Sequence, residues 1–413
     1  MTRLDRMIVE ITAGDVGRLD GLPASFRLAA MLLVRFRKGR LDIIVPDGRT
    51  LRFEGPEEGP RAEIIVHDAG LARSVLAKGD IGFAEMFMDG KFDTPDLAAV
   101  LEYFTVNFER AGKLAMGGTL TRYLNAVRHA LRSNTKRGSK RNILAHYDLG
   151  NEFYARWLDP SMTYSSALYS RPDQSLQDAQ LAKYRAIATH LDLKPGMTVL
   201  EIGSGWGGFA EVAAREFGAR VTSVTISNAQ HDWAVKRIAD AGLSGQVDIQ
   251  LRDYRDLSGQ FDAVASIEMF EAVGEKYWPN YFAKVAEILK PGAKAALQVI
   301  TIEDQEFERY RSRPDFIQRY IFPGGMLPSI ERLGRESARV GLDFRTATLF
   351  GQSYARTLAE WQNRFEPEWD AISRLGFDER FRRLWLYYLA YCQAGFRTGR
   401  IDVGHFVLRR PPG

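Results

Sequence analysis

Cysteine is nearly absent from this chain. Cys392 is the only one in 413 residues, so an internal disulfide framework is excluded. Histidine is scarce as well. The six histidines, at positions 67, 129, 146, 190, 231 and 405, show no paired spacing of the zinc-binding kind, which argues against a metal centre. Long apolar runs are also missing. The longest near the N-terminus, residues 28–34, is closely flanked by Arg27 and Arg35. A membrane-spanning helix needs about 20 apolar residues, and a signal peptide needs an uninterrupted apolar region before a small-residue cleavage site. The expected location is therefore the cytoplasm, with any membrane met from its surface. Acidic residues are absent from one stretch that carries Arg128, Arg132, Lys136, Arg137, Lys140 and Arg141. Such a run suits phospholipid headgroups, at about 1 kcal/mol per cation near an anionic surface. It equally suits nucleic acid or a solvated linker.

The composition that is present, 45% hydrophobic and 26% charged, belongs to an ordinary globular protein. Single cores rarely grow past about 250–300 residues, so the length implies two domains. Residues 1–125 read as a small α+β domain. Residues 43–45 and 51–53 flank Pro46-Asp-Gly48 as a hairpin, and residues 69–77 and 97–108 have helical spacing. The basic stretch, with its Ser133-Asn-Thr135 and Gly138-Ser139 turn residues, reads as a linker over 126–142. Residues 143–413 form the second domain. Strands are expected at 198–202, 220–226, 247–250, 261–267 and 293–300, with helices at 207–217 and 229–241. That alternation predicts an α/β fold with a parallel sheet covered on both faces.

The first of those strands runs into Glu201-Ile-Gly-Ser-Gly-Trp-Gly-Gly208. A glycine turn there lets backbone approach a ligand and aims helix N-terminal amides at it. A dinucleotide site would need an acid about 20 residues on, at the end of the second strand. That strand ends instead in Thr225-Ile-Ser-Asn-Ala-Gln230, with no carboxylate. Asp253-Tyr254 follows the third strand, where an acid and a flat ring could receive an adenine. Glu201, Gly203, Ser204, Gly205, Trp206, Thr225, Ser227, Gln230, Asp253 and Tyr254 together describe a nucleoside site without a pyrophosphate clamp. S-adenosylmethionine fits it.

Several further motifs strengthen that reading: His146-Tyr-Asp-Leu-Gly-Asn151, Leu158-Asp-Pro-Ser-Met-Thr-Tyr-Ser165, Val224-Thr-Ile-Ser227, Met269-Phe-Glu271, Tyr320-Ile-Phe-Pro-Gly324, Leu327-Pro-Ser329 and Phe350-Gly351 with Tyr354. Residues 392–397, Val75-Leu-Ala-Lys-Gly79 and Met88-Asp-Gly90 join them. With these motifs, from about residue 60 onward, the chain resembles the cyclopropane-fatty-acid synthase and mycolic-acid methyltransferase family. The resemblance implies a Rossmann-like methyltransferase domain with helical lid insertions, and a lipid-binding N-terminal domain. It implies methyl transfer from S-adenosylmethionine to the double bond of an unsaturated acyl chain in membrane phospholipid. A carbocation forms and loses a proton, giving a cyclopropane or a methyl- or methylene-branched chain. The implied partner is the inner membrane face, met peripherally, rather than nucleic acid; a homo-oligomer is compatible with it. A methyltransferase acting on RNA or another small molecule, and a non-catalytic lipid-binding protein, are the alternative readings.

In family members a bicarbonate held by Cys, Glu, His, a backbone group and Tyr is thought to take the proton. By resemblance Glu271, Ile300 and Tyr354 match three of these contacts, while Ser166 replaces the cysteine and Gln298 the histidine. Ala272 stands where a histidine commonly follows the glutamate, and Glu268 stands where many members have glycine. These departures put bicarbonate in doubt. Glu268 and Glu271 are spaced i, i+3, as on one helical face. Two carboxylates in one pocket push one pKa up, so Glu268 is expected to act as the base or to position the anion. Tyr164 and Ser165 match contacts to S-adenosylmethionine, and His146 and Tyr147 belong to a motif near it. Cys392 occupies a position often assigned to the active site, although a buried packing cysteine explains it better, since the mechanism has no step that needs a thiol nucleophile. Residues 307–322, with Tyr310, Phe316, Tyr320 and Phe322, are expected to form a lid, with Tyr387 and Tyr388 facing the acyl tunnel or simply filling core.

Overall fold

A computed structural model describes residues 7–111 and 149–413. The basic linker, His146 and Tyr147 lie outside the described residues. Two compact units emerge. The first combines Met1–Val127 with Trp369–Thr398, and the second combines Arg128–Glu368 with Gly399–Gly413.

In the first unit β1 (Ile8–Glu10), β2 (Lys38–Ile44), β3 (Thr50–Glu54), β4 (Glu57–Val66) and β5 (Phe92–Asp93) form one sheet in the order β1-β3-β2-β4-β5. The expected hairpin joins β2 to β3, with Gly48 at φ +92° and Val45 N–H donating to Arg49 O at 3.0 Å. The helices Gly70–Lys78 and Leu97–Ala111 stand where their periodicity placed them. Asn107, buried on the second, accepts from the backbone N–H groups of Arg37 and Lys38 and donates to Lys38 O at 2.9 Å.

One boundary departs from expectation. The helix Glu379–Arg397, read as part of the second domain, packs in the first unit. Arg383 pairs with Asp93, Arg380 with Asp89 and Arg397 with Glu102. Tyr387, proposed for a tunnel, puts its ring 5.9 Å from Phe87 and 6.5 Å from Phe83, and with Tyr388 it is buried core of this unit. No change in composition marks the crossing. The return is driven by an apolar helix face, and a face does not reveal which sheet it will cover.

The second unit holds β6 (Thr198–Ile202), β7 (Arg220–Thr225), β8 (Val247–Leu251), β9 (Phe261–Ile267), β10 (Leu289–Ile302), β11 (Asp343–Leu349) and β12 (Ile401–Arg409). Their order is β11-β12-β10-β9-β6-β7-β8. β6 through β10 are parallel, as the alternation predicts. The sheet is nevertheless mixed, because β12 runs antiparallel between β10 and β11. Apolar residues such as Phe270, Trp278 and Tyr281 form one buried cluster, and Ile187, Phe209 and Ala213 belong to another. The order reverses between β6 and β9. Ligands bind open α/β sheets at such a switch point, beyond the carboxyl ends of the strands.

Candidate active site

At the end of β6 the chain turns through Gly203, at φ +98°, whose N–H donates with that of Ser204 to Val224 O on β7. Gly207, at φ +86°, caps the helix Gly208–Phe217, and a Cβ there would lie 3.2 Å from Ala234 Cβ. Gly205, at φ +49°, is different: a Cβ on it would meet nothing within 4 Å. Glycine is thus needed at 207 for packing, while 205 faces open space suited to a ligand. Trp206 turns inward, only 3% exposed, and its indole N–H donates to Asn151 Oδ1 at 2.8 Å. Its side chain therefore anchors the turn.

Glu201 is buried and accepts from Ser223 Oγ at 2.5 Å, with Ser204 Oγ 2.7 Å from the same hydroxyl. Burial pushes its carboxyl up to about 8. On the neighbouring strand Thr225 Oγ1 donates to Gln230 Oε1 at 2.9 Å, and Ser227 caps the helix Asn228–Asp240. Asp253 is engaged by the Arg255 guanidinium, at 2.9 and 2.6 Å. Tyr254 packs edge-on against Tyr281 at 5.6 Å. Tyr164 is half-buried, its ring 5.2 Å from Trp361 and 5.3 Å from Tyr154.

Just past the end of β9, beside Gln298 of β10, Glu268 gathers three donors. Glu268 Oε1 accepts from Ser166 N–H at 2.8 Å and from Gln298 Nε2 at 2.7 Å, while Oε2 accepts from the Tyr354 hydroxyl at 2.7 Å. Glu268 adopts φ +48°, a left-handed conformation that costs a side chain about 1–2 kcal/mol. The helical face expected for Glu268 and Glu271 is thereby corrected. Only Glu271 is in a helical turn, the 3-10 segment Phe270–Ala272, and Glu268 precedes it in the left-handed region. The two still influence one another. Burial first, and Glu268 second, push the Glu271 carboxyl up to about 8. Glu271 Oε1 accepts from Ile300 N–H at 2.6 Å, and its Oε2 is a buried oxygen without a hydrogen-bond partner among the described residues. Burial likewise raises Glu268, against the opposing pull of Lys183 and of its three donors.

Ser166 contributes its backbone and not its hydroxyl, which donates to Ala167 O at 2.9 Å. Ser165 is held from both sides: Lys183 Nζ donates to its Oγ at 2.6 Å and Gln180 Nε2 to its carbonyl at 2.9 Å. Lys183 is fully buried, and desolvation drives its ammonium well below the ordinary lysine value despite Glu268, Asp159 and Glu201. Sequence reading missed Lys183 and Gln180. A lysine on the buried face of the amphipathic helix Leu176–His190 was the available signal. Cys392 is half-buried on the helix Glu379–Arg397 of the first unit. Among the described residues no cluster of three or more His, Cys, Asp or Glu is placed to hold a metal ion.

Residues 134–406 match the family described as mycolic acid cyclopropane synthetase. The chain belongs to that family. It is 38% identical over 366 residues to tuberculostearic acid methyltransferase UfaA1 of Mycobacterium tuberculosis, covering 86% of this chain and 85% of the relative. It is 36% identical over 356 residues to the cyclopropane-fatty-acyl-phospholipid synthase of Escherichia coli, covering 84% and 88%. The solved structure of cyclopropane synthase MmaA2 from M. tuberculosis superposes with a TM-score of 0.61 at 31% identity, over 65% of this chain and 98% of that one. Mycolic acid cyclopropane synthase CmaA1 complexed with SAH and CTAB gives 0.60 at 29% identity, over 65% and 98%.

Membership makes the chain an S-adenosylmethionine-dependent methyltransferase with a Rossmann-like sheet. The open space at Gly205 and the helix N-terminus beside it suit that donor. Bicarbonate does not fit in the same way. Ser166 N–H, Gln298 and Tyr354 already spend their donors on Glu268, so no step is assigned to a bound bicarbonate. For the donor site, Gly205→Val is expected to fill the open space. Calorimetry should show S-adenosylhomocysteine binding weakened by about 100-fold, or about 2.8 kcal/mol. Unchanged affinity would place the ligand elsewhere.

Proposed function

We propose that this methyltransferase acts on unsaturated acyl chains of membrane phospholipid, and that the Glu268 carboxylate removes the proton that completes the reaction. S-adenosylmethionine, when bound, supplies an electrophilic methyl on a sulfonium. The π pair of the alkene forms the new carbon–carbon bond as the S–CH3 pair returns to sulfur. The positive charge left on the chain is quenched when a C–H pair becomes a carbon–carbon bond and the proton passes to Glu268. Loss from the new methyl closes a ring, and loss from a chain carbon leaves a branched alkene.

One observation carries this reading: three donors converge on a glutamate held in left-handed backbone. Strain of this kind persists where surrounding structure over-determines it, and it clusters at active sites. Ser166, Gln298 and Tyr354 hold the carboxylate as an acceptor, and burial raises its proton affinity. The acyl-chain cation needs a pocket from which water is excluded, and the Glu268 carboxylate is itself buried.

The acyl substrate rests on the kinship with the tuberculostearic acid methyltransferase and the cyclopropane-fatty-acyl-phospholipid synthase. Among the described residues no helix is long and apolar enough to cross a membrane. A lipid surface as partner is supported by Leu28 and Met31, each 51% exposed on the helix Ala24–Leu33, with exposed Arg27 beside them. The test is incubation with labelled S-adenosylmethionine and unsaturated phosphatidylglycerol vesicles, with acyl products identified by mass spectrometry. Label should enter intact phospholipid and give one product, ring or branch. Label in free fatty acid alone would reject phospholipid as the substrate, and no acyl label would reject the reading.

A further inference from the structure

Gln298 on β10 and His405 on β12 are directly opposed in the antiparallel ladder, and neither has any exposed surface. His405 Nε2 lies 2.9 Å from Gln298 Oε1, and Gln298 Nε2 lies 2.7 Å from Glu268 Oε1. A carboxamide is nearly symmetric in shape but not in chemistry, with an acceptor on one side and two donors on the other. Rotated by half a turn, Gln298 would press its oxygen against a Glu268 oxygen, acceptor against acceptor. Glutamine by itself does not choose between these orientations. The Ser166 carbonyl, 3.3 Å from Nε2, favours the donating orientation from one side, and a neighbour that only donates secures it from the other.

We propose that His405 is a positioning residue for methyl transfer: its Nε2–H fixes the Gln298 carboxamide in the orientation that donates to Glu268. The ring has little freedom to do otherwise. It packs edge-on against Phe350 at 4.8 Å and against His190 at 5.2 Å. Burial first, and the proximity of His190 and Lys183 second, disfavour a charge on the ring and keep it neutral, so it carries a single N–H. Its Nδ1 is buried without a hydrogen-bond partner among the described residues. A proton there would create an orphaned buried donor, which folded proteins rarely tolerate. The proton therefore sits on Nε2, facing Gln298. Around Glu268 itself the facing groups are Lys183, Glu271, Tyr354, Gln298 and the Ser166 N–H.

This inference rests on the reading of Glu268 as proton acceptor, and its test separates the two. His405→Leu removes the donor. His405→Asn keeps an amide too short to reach Gln298, and His405→Gln places an amide N–H near the position of Nε2. Each is assayed on phospholipid vesicles across pH, with S-adenosylhomocysteine binding as a check of the fold. The Leu and Asn variants should lose about tenfold in kcat. Their KM for S-adenosylmethionine should stay unchanged, and the acid limb of the pH profile should move to higher pH as Glu268 loses a donor. The Gln variant should recover most of the rate and the original profile. If the Leu variant fails to bind S-adenosylhomocysteine, the Asn and Gln pair decides. A wild-type rate and profile in the Asn variant, or equal impairment of Asn and Gln, overturns the proposal. Glu268→Gln assayed alongside distinguishes the failures. An inactive Glu268→Gln with an unaffected 405 series refutes only the positioning role, whereas an active Glu268→Gln refutes the acceptor on which it rests.

Discussion

Glu268→Gln should lower kcat by about a thousandfold, within the range of about 10²–10⁴ that a general base contributes. Gln keeps the shape of the side chain and can still accept from Ser166 N–H or Tyr354, so S-adenosylhomocysteine affinity should hardly change. The distinguishing readout is pH. In the native enzyme only the ionised carboxylate accepts a proton, so the rate rises with pH as Glu268 deprotonates. Burial raises its pKa above the ordinary carboxylate value, and the acid limb should be displaced upward accordingly. The residual rate of the Gln variant should lack that limb. Wild-type turnover with an unchanged product would remove Glu268 from the chemistry.

Glu268→Gly should lower both activity and stability. Activity falls, because the carboxylate is gone. Backbone strain falls, because glycine takes φ +48° without the left-handed cost of about 1–2 kcal/mol. Glycine's own entropic cost of about 0.5–1 kcal/mol offsets part of that gain. Three buried donors lose their acceptor at about 1–3 kcal/mol each, so the melting temperature should fall unless an added anion takes the carboxylate's place. The variant also frees Ser166 N–H, Gln298 and Tyr354 around a space sized for a small carboxylate. Added bicarbonate or formate should then restore part of its rate, while native turnover should be indifferent to bicarbonate. Native enzyme that loses activity in carbonate-free buffer, and regains it on addition, would contradict the tethered carboxylate.

Much of the fold was legible because strand and helix periodicities are local. β6 and β9 carry the bounds expected from apolar runs, and the glycine turn follows β6 as its spacing implied. The antiparallel β12 was not legible, since a strand's direction in a sheet depends on partners far along the chain. The helix Glu379–Arg397 escaped for a related reason: its apolar face is visible in sequence but its destination is not. At the site, Glu268, Glu271, Ser166, Gln298 and Tyr354 could be named from motifs. That Ser166 would serve through its N–H, and Asp253 be engaged by Arg255, depended on side-chain direction.

The glycine turn and the departures at Ser166, Gln298 and Glu268 are properties of the sequence alone, because residue type restricts which φ, which donor and which acceptor each position can supply. Who meets whom belongs to the tertiary structure. Ser166 and Glu268 are 102 positions apart, and Gln298 and His405 are 107 apart. Closing such distances is the work of sheet order and strand register, and no local pattern encodes it. Only the fold brought the Glu268 carboxylate to the donors that the sequence had assigned to a bound anion, and set Lys183 and His405 behind it.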